Sequence, residues 1–117
     1  MYIFIVAGNT EAYVQYADKS KAYSKENYHA LLAGMEEIFA QFSRCMEDGV
    51  KPDSAKTQQQ VKVLQDYITE YFYHCTNQIL AGLGQMYVAD ERFRNNIDKH
   101  AEGTADYVSA AIRVYCE

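Results

Sequence analysis

The strongest constraint on the fold is a run of apolar residues at helical spacing between residues 28 and 46. Successive members lie three or four positions apart, so they share one face of a helix over about five turns. They are Tyr28, Leu31, Leu32, Met35, Ile38, Phe39, Phe42 and either Cys45 or Met46. Ser24 suits the start of this helix, and Gly49 followed by Pro52 suits its end. The pattern predicts an amphipathic helix that buries one face.

Capping residues divide the rest of the chain into further helices of uneven length. A short first helix is predicted after Asn9-Thr10. Later starts are predicted at Asp53 or Ser54, at Thr76 or Asn77, and at Asp90, with a last stop at Glu102-Gly103. The polar stretch 55–60 is expected to be solvated. After residue 7 the sequence shows no alternation typical of strands. We therefore predict an all-α fold of about five to six helices, with oblique crossings like those of globins.

Size, charge and cysteine content restrict the class of protein. A chain of 117 residues is expected to form one domain over 1–117. Its net charge of −5 makes it a poor direct binder of nucleic acid. The three cysteines, Cys45, Cys75 and Cys116, form no CxxC pair, which favours a reducing cytoplasm over a disulfide framework or zinc site. The apolar segment 1–7 is too short to span a membrane. It is a short strand, a packing arm (residues 1–8 at most) or an expression remnant.

Histidine and cysteine offer only weak candidates for chemistry. Glu26 and His29 have the spacing of a ferritin-like metal pair, but a second such motif is missing. Glu70 and His74 form one further weak pair, and His74 is also a candidate haem ligand. The neighbours His74 and Cys75 point about 100° apart on a helix, so they do not form an activated thiol. We expect no catalytic residue, no metal and no cofactor, with a haem or di-metal protein as the less favoured alternative.

Two features leave room for a bound ligand. Gly82 and Gly84 lie in a helical stretch, where each costs about 1 kcal/mol relative to alanine. Something is therefore expected to approach that backbone: another helix, which is slightly favoured, or a ligand. The apolar faces also carry Met and aromatic residues, which adapt to varied ligands. On periodicity alone such residues are more often core than pocket.

Four separated motifs resemble one family. They are Gly8-Asn9-Thr10-Glu11-Ala12-Tyr13, Tyr23-Ser24-Lys25-Glu26-Asn27-Tyr28, the run from Leu83 to Asp98, and Gly103-Thr104-Ala105-Asp106-Tyr107. In this order they resemble TipAS-type antibiotic-recognition domains from Gly8 to about Tyr115. The run from Leu83 is the strongest match. Ala7 and Tyr28 replace family tryptophans, which suggests a different ligand shape.

The resemblance implies a globin-like, haem-free domain that binds bulky, largely apolar antibiotics such as thiopeptide macrocycles in a cleft between helices. Family members commonly follow a winged-helix DNA-binding domain and a dimerising helix in MerR-type activators. DNA contact would then come only through the attached winged-helix domain, and the full-length protein could be a homodimer. Some members are free domains that sequester drug, which is the alternative here. Neither case involves a membrane or an enzyme activity.

The resemblance and the apolar faces together predict the ligand-binding residues. These are Tyr28, Leu32, Met35, Tyr71, Phe72, Cys75, Ile79, Gly82, Met86 and Tyr107. In thiostrepton-responsive members, a cysteine just before the Leu-Gly of the motif captures dehydroalanine-bearing antibiotics covalently. That position is Gly82 here, whereas the family's preceding cysteine falls on Cys75. Non-covalent binding is therefore expected. The segment through Tyr23 is expected to order over the ligand and bias an attached DNA-binding half.

Overall fold

The structure is a computed structural model that describes residue 19 and residues 21–117. This part of the chain contains five helices and no strand. They are α1 (Lys25–Glu47), α2 (Ala55–Tyr71), α3 (Asn77–Ala89), α4 (Glu91–Asp98) and α5 (Thr104–Cys116). The all-α prediction is confirmed. The predicted first helix after Asn9-Thr10 and the apolar segment 1–7 lie outside the described residues.

Helix α1 begins and ends at hydrogen-bonded caps. The Ser24 hydroxyl accepts a hydrogen bond from the Asn27 N–H, and the Asn27 side chain accepts one from the Ser24 N–H. At the other end Gly49 has a φ of 77°, a left-handed conformation that glycine adopts without a steric penalty. The Val50 N–H then donates to the Cys45 carbonyl over 2.9 Å. This Schellman pattern satisfies terminal carbonyl groups of α1 and turns the chain toward α2.

Local polar chemistry also sets the later boundaries. The hydroxyls of Ser54 and Thr76 and the carboxylate of Asp90 accept hydrogen bonds from backbone N–H groups in the first turns of α2, α3 and α4. The predicted break before residue 77 is confirmed, because α2 ends at Tyr71 and α3 begins after Thr76. Helix α5 follows Gly103, whose φ is 94°. None of the described helices is both long enough and apolar enough to cross a membrane.

One apolar core connects the five helices. Its largest fully buried side chains are Met35, Phe39, Phe42, Leu64, Ile68, Phe72, Tyr73, Leu80, Leu83, Tyr87 and Ile97. Helices α1 and α2 approach each other at Gly34, where a Cβ would collide with the Tyr67 hydroxyl. That hydroxyl donates to the Leu31 carbonyl over 2.8 Å. A glycine is therefore required in the middle of α1 for this close approach.

The expectation that residues 55–60 are solvated is wrong for part of the stretch. Thr57 is fully buried, and its hydroxyl lies 2.8 Å from the hydroxyl of Tyr107 on α5. The Gln58 side chain donates to the Ala111 carbonyl over 3.0 Å. Thr57 is buried and Gln58 half-buried because distant groups satisfy their hydrogen bonds, and those partners cannot be read from a local pattern.

Candidate functional site

Four of the ten predicted ligand-binding residues are core residues in this structure. Met35, Phe72, Cys75 and Tyr107 are at most 9% exposed. A ligand at the surface therefore cannot contact them without rearrangement of the helices. Helical periodicity identifies the apolar face of a helix, but it does not separate the buried centre of that face from its half-buried flank.

Tyr107 has a structural role at the start of α5. Its hydroxyl donates to the Val50 carbonyl over 2.6 Å and lies 2.8 Å from the Thr57 hydroxyl. Since the Tyr107 proton is given to Val50, Thr57 is the donor in its contact with Tyr107. The Thr57 oxygen in turn accepts from the Ser54 hydroxyl over 3.0 Å. This chain of hydrogen bonds connects α5 to the loop before α2.

Cys75 is a poor nucleophile in this position. Its side chain is buried at the α2–α3 connection, where its Sγ lies 3.9 Å from the Thr76 carbonyl oxygen. Burial raises the pKa of the Cys75 thiol to about 12, and proximity to Cys116 adds to the increase. A thiol of that pKa holds almost no thiolate at neutral pH, and the thiolate is the reactive form. The structure therefore gives no support for covalent capture at Cys75.

The other six predicted residues reach the surface to different extents. Tyr71, at the end of α2, is 37% exposed. The remaining five are half-buried: Tyr28 and Leu32 on α1, and Ile79, Gly82 and Met86 on α3. Within each helix their spacing of three or four places them on one face. We call these five residues the apolar rim.

Helices α1 and α3 contact each other next to the apolar rim. Phe39 of α1 and Tyr87 of α3 form an edge-to-face aromatic pair with ring centroids 5.6 Å apart. Leu32 lies two turns before Phe39 on the same face of α1, and Met86 directly precedes Tyr87. We call the junction centred on Phe39 and Tyr87 the α1–α3 seam. On α1, Tyr28 and Leu32 share the face of Phe39, whereas on α3 Met86 and Gly82 lie about 100° and about 140° around the helix from Tyr87.

The two glycines of α3 have different surroundings. A Cβ on Gly84 would lie 3.0 Å from Cγ2 and 3.3 Å from Cβ of Ile112, so α5 occupies that side. A Cβ on Gly82 would meet no atom of the described residues within 4 Å. The helix-packing interpretation is therefore confirmed for Gly84. Gly82 is half-buried, and among the described residues no atom fills the place that its side chain would take.

Two grooves are present between described helices. The α1–α2 groove has a volume of about 460 Å³ and includes Tyr71 from the predicted set. The α3–α5 groove has a volume of about 430 Å³ and contains none of the ten predicted residues. Its lining includes Ala81, Gly84, Gln85, Val88, Ser109 and Arg113. The small residues Ala81 and Gly84 could have indicated this second groove from the sequence, because small side chains leave space between packed helices.

Metal-ligand geometry is not found in the part of the chain that the structure describes. No group of three or more His, Cys, Asp and Glu side chains is close enough there to hold a metal ion. His100 instead lies 2.9 Å from the Glu36 carboxylate, which also accepts from Lys99 and Asn96. This polar cluster connects α1 to the end of α4.

A helical domain with apolar grooves between its helices has the architecture of a small-molecule-binding domain. The model of the TipAS antibiotic-recognition domain matches residues 8–115, and the chain belongs to this family. The family resemblance inferred from the four motifs is confirmed.

Relatives and a solved structure agree with this assignment. The chain is 35% identical over 99 residues to the HTH-type transcriptional activator mta of Bacillus subtilis. It is 34% identical over 105 residues to the HTH-type transcriptional activator TipA of Streptomyces coelicolor. These matches cover 85% and 90% of the chain but only 38% and 42% of the activators, so the chain spans about two fifths of their length.

The solved structure is TipAS from Streptomyces lividans in complex with the thiopeptide antibiotic nosiheptide. The TM-score is 0.84 and the sequence identity 33%. The match covers 93% of this chain and 76% of that chain. The backbone arrangement described above is therefore that of a known antibiotic-binding domain.

Proposed function

We propose that this chain binds bulky, largely apolar antibiotics of the thiopeptide class and is the effector-sensing domain of a MerR-type transcriptional regulator. The observation that carries the proposal is the match over 93% of the chain to TipAS in complex with nosiheptide. The curated relatives are transcriptional activators rather than enzymes, which supports a binding role without catalysis.

The ligand is proposed to lie on the apolar rim beside the α1–α3 seam. Met86, Leu32 and Ile79 offer half-buried apolar surface without an exposed charge among them. Gly82 adds space for close approach to the backbone of α3. A macrocycle can exploit such a surface because a flat peptide ring needs a wide contact with few protruding side chains.

Binding is proposed to be non-covalent. The position of the family's reactive cysteine is Gly82, which has no side chain to react. The burial of Cys75 keeps its thiol protonated, with a pKa of about 12. Affinity would then depend on buried apolar area and on hydrogen bonds formed in the complex.

Transcriptional regulation is proposed to act through another part of a longer protein. The chain spans about two fifths of activators that are named for a helix-turn-helix, and its net charge is −5. An acidic domain has little affinity for phosphates, so DNA contact would belong to an attached winged-helix segment. Dimerisation would belong to the dimerising helix that accompanies that segment in family members. The alternative is a free domain that sequesters antibiotic. An in-frame winged-helix segment upstream in the gene would decide for the regulator.

The position of the ligand can be tested by installing a thiol on either side of α3. Gly82→Cys places it beside the apolar rim, and Ala81→Cys places it in the α3–α5 groove. Both variants also carry Cys116→Ser, because Cys116 lines that groove. Each is incubated with thiostrepton and analysed by intact mass spectrometry. A thiolate adds to the dehydroalanine double bond, the α carbon takes up a proton and no group leaves, so the adduct has the summed mass.

We expect rapid adduct formation with G82C and slow or no adduct formation with A81C. The same thiopeptide should raise the Tm of the unmodified protein, which reports binding without covalent capture. Faster labelling of A81C would place the ligand in the α3–α5 groove and contradict the proposed position. No Tm shift with thiostrepton or nosiheptide would contradict the proposed ligand class.

A further inference from the structure

The α1–α2 groove lies on a different face of α1 from the apolar rim. Its volume of about 460 Å³ is within the range of small-molecule sites. Its α1 positions 27 and 31 each precede a rim position, 28 and 32, by one residue, which turns them about 100° around the helix. The lining includes Tyr23, Tyr67 and Tyr71 together with Asn27, Ala30 and Leu31. The groove is therefore a separate surface, rich in tyrosine.

Two tilted tyrosine rings form the aromatic wall of this groove. The ring centroids of Tyr67 and Tyr71 are 4.9 Å apart, with an angle of 55° between the ring planes. Tyr71 is 37% exposed, so a flat ligand can pack on its ring. The Tyr67 hydroxyl donates its only proton to the Leu31 carbonyl over 2.8 Å. Toward a ligand the Tyr67 oxygen is therefore a hydrogen-bond acceptor.

Asn27 provides a hydrogen-bond donor on the α1 side of the groove. Its Oδ1 accepts from the Ser24 N–H over 3.2 Å, and this contact identifies the oxygen because a backbone N–H can only donate. The Asn27 Nδ2 group has no hydrogen bond to a described residue. Asn27 lies one turn of α1, about 6 Å, before Leu31, whose carbonyl holds the Tyr67 hydroxyl. A donor and an acceptor thus lie about one turn apart along the groove.

The groove favours a neutral ligand. None of the described residues that line it carries a charged side chain. An ionised group would lose hydration there without gaining a partner of opposite charge. Burial raises the pKa of Tyr67, and Tyr71 and Tyr23 add to the increase, so the Tyr67 phenol remains neutral at physiological pH.

We propose that the α1–α2 groove is a further binding site, for a neutral aromatic carboxamide. The aromatic ring packs on Tyr67 and Tyr71, the amide N–H donates to the Tyr67 hydroxyl oxygen, and the amide carbonyl accepts from Asn27 Nδ2. An ester lacks the donor and an amine lacks the acceptor, whereas an amide with a hydrogen bond of about 2.9 Å on either side spans one helical turn. The site does not depend on the proposed function, because no residue of the apolar rim lines the groove.

The test uses benzamide as the probe and methyl benzoate as its matched analogue without an N–H. Backbone amide chemical shifts of ¹⁵N-labelled protein report the position of each probe and its Kd. For benzamide we expect shifts concentrated at Asn27, Ala30 and Tyr71, and a Kd about tenfold lower than for the ester. An ester that binds as tightly as the amide would contradict the proposal. Benzamide shifts concentrated at Leu32 and Met86 would place the probe on the rim and contradict it as well.

Two substitutions of asparagine by aspartate separate the proposed contact from a change of charge. Asn27→Asp removes the Nδ2 donor but keeps an oxygen for the Ser24 N–H, and an acidic residue suits the first turn of a helix. Asn95→Asp makes the same change at an exposed position of α4. For N27D we expect an unchanged or higher Tm and a Kd for benzamide raised about tenfold, whereas N95D should keep the Kd of the unmodified protein. Equal Kd values for all three proteins, or no shift with benzamide in the unmodified protein, would contradict the proposal.

Discussion

The two sides of helix α3 differ in what packs against them, although each carries a glycine at nearly the same position along the helix axis. On the Gly84 side, Ile112 of α5 comes within 3.0 Å of the position that a Cβ would take. On the Gly82 side, no described atom lies within 4 Å of that position. The first glycine is required by the packing of two helices. The second destabilises the helix and gives no packing contact in return.

This difference separates stability from function within one helix. Glycine in a helix interior costs about 1 kcal/mol relative to alanine. At Gly84 the close approach of α5 and the buried apolar area offset that cost. At Gly82 the described residues offer no such offset, and we propose that a ligand approaches the backbone there. We call the Gly84 side of α3, which packs against α5, the closed side, and the Gly82 side the open side. The closed side contributes to stability, and we propose that the open side binds the antibiotic.

The largest effect is expected on the closed side. Gly84→Ala would force its methyl group against Ile112 Cγ2, and overpacking of a core contact costs about 1–3 kcal/mol. The gain in helix propensity offsets part of that cost. Urea unfolding should show a lower free energy of unfolding than in the unmodified protein. An equal or higher value would mean that α5 shifts without cost to accommodate the methyl group. The two sides of α3 would then not differ in how tightly they are packed.

On the open side the same substitution should have the opposite sign. Gly82→Ala adds a methyl group in open space, so it should stabilise the free protein by up to about 1 kcal/mol. If a ligand lies against this backbone, the methyl group should also change the Kd for nosiheptide. Urea unfolding and calorimetric titration of one preparation measure both quantities. A stabilised variant with unchanged affinity would place the ligand elsewhere.

A smaller effect is expected at the polar cluster that connects α1 to the end of α4. The cluster consists of Glu36, Asn96, Lys99 and His100. Burial opposes ionisation of Glu36, but hydrogen bonds from Lys99, Asn96 and His100 outweigh it and lower the pKa of the carboxyl group. Because the folded pKa is lowered, this stabilisation is complete above the unfolded pKa of about 4.3 and is lost as pH falls through the folded value. Partly exposed ion pairs contribute about 0.2–1 kcal/mol.

The measurement is the Tm between pH 6 and pH 3 for the unmodified protein and for Glu36→Gln. The variant should have a lower Tm at pH 6 and a shallower decline below pH 4.5. Glu47→Gln, at the exposed end of α1, is the control. Identical pH profiles for E36Q and the unmodified protein would show that the cluster does not hold α1.

Local chemistry explains why much of the fold could be predicted. Ser24, Thr76 and Asp90 cap their helices through bonds to residues two or three positions away, so their roles are visible in the sequence. Thr57 was misjudged because its partner Tyr107 lies 50 residues further along the chain.

The candidate site was less predictable for a related reason. Met35 and Leu32 occupy neighbouring positions on one apolar face, yet only Met35 is buried. Burial within such a face depends on which helix covers it, and that is a property of the whole fold.

We propose that the antibiotic lies on the Gly82 side of α3. The most direct measurement is titration of ¹⁵N-labelled protein with nosiheptide, followed by backbone amide chemical shifts. We expect the largest shifts at Tyr28, Leu32, Gly82 and Met86, with small changes around Ser109 and Arg113. Shifts concentrated at Gln85, Val88, Ser109 and Arg113, with none at Gly82, would place the ligand in the α3–α5 groove and contradict the proposed position on the apolar rim.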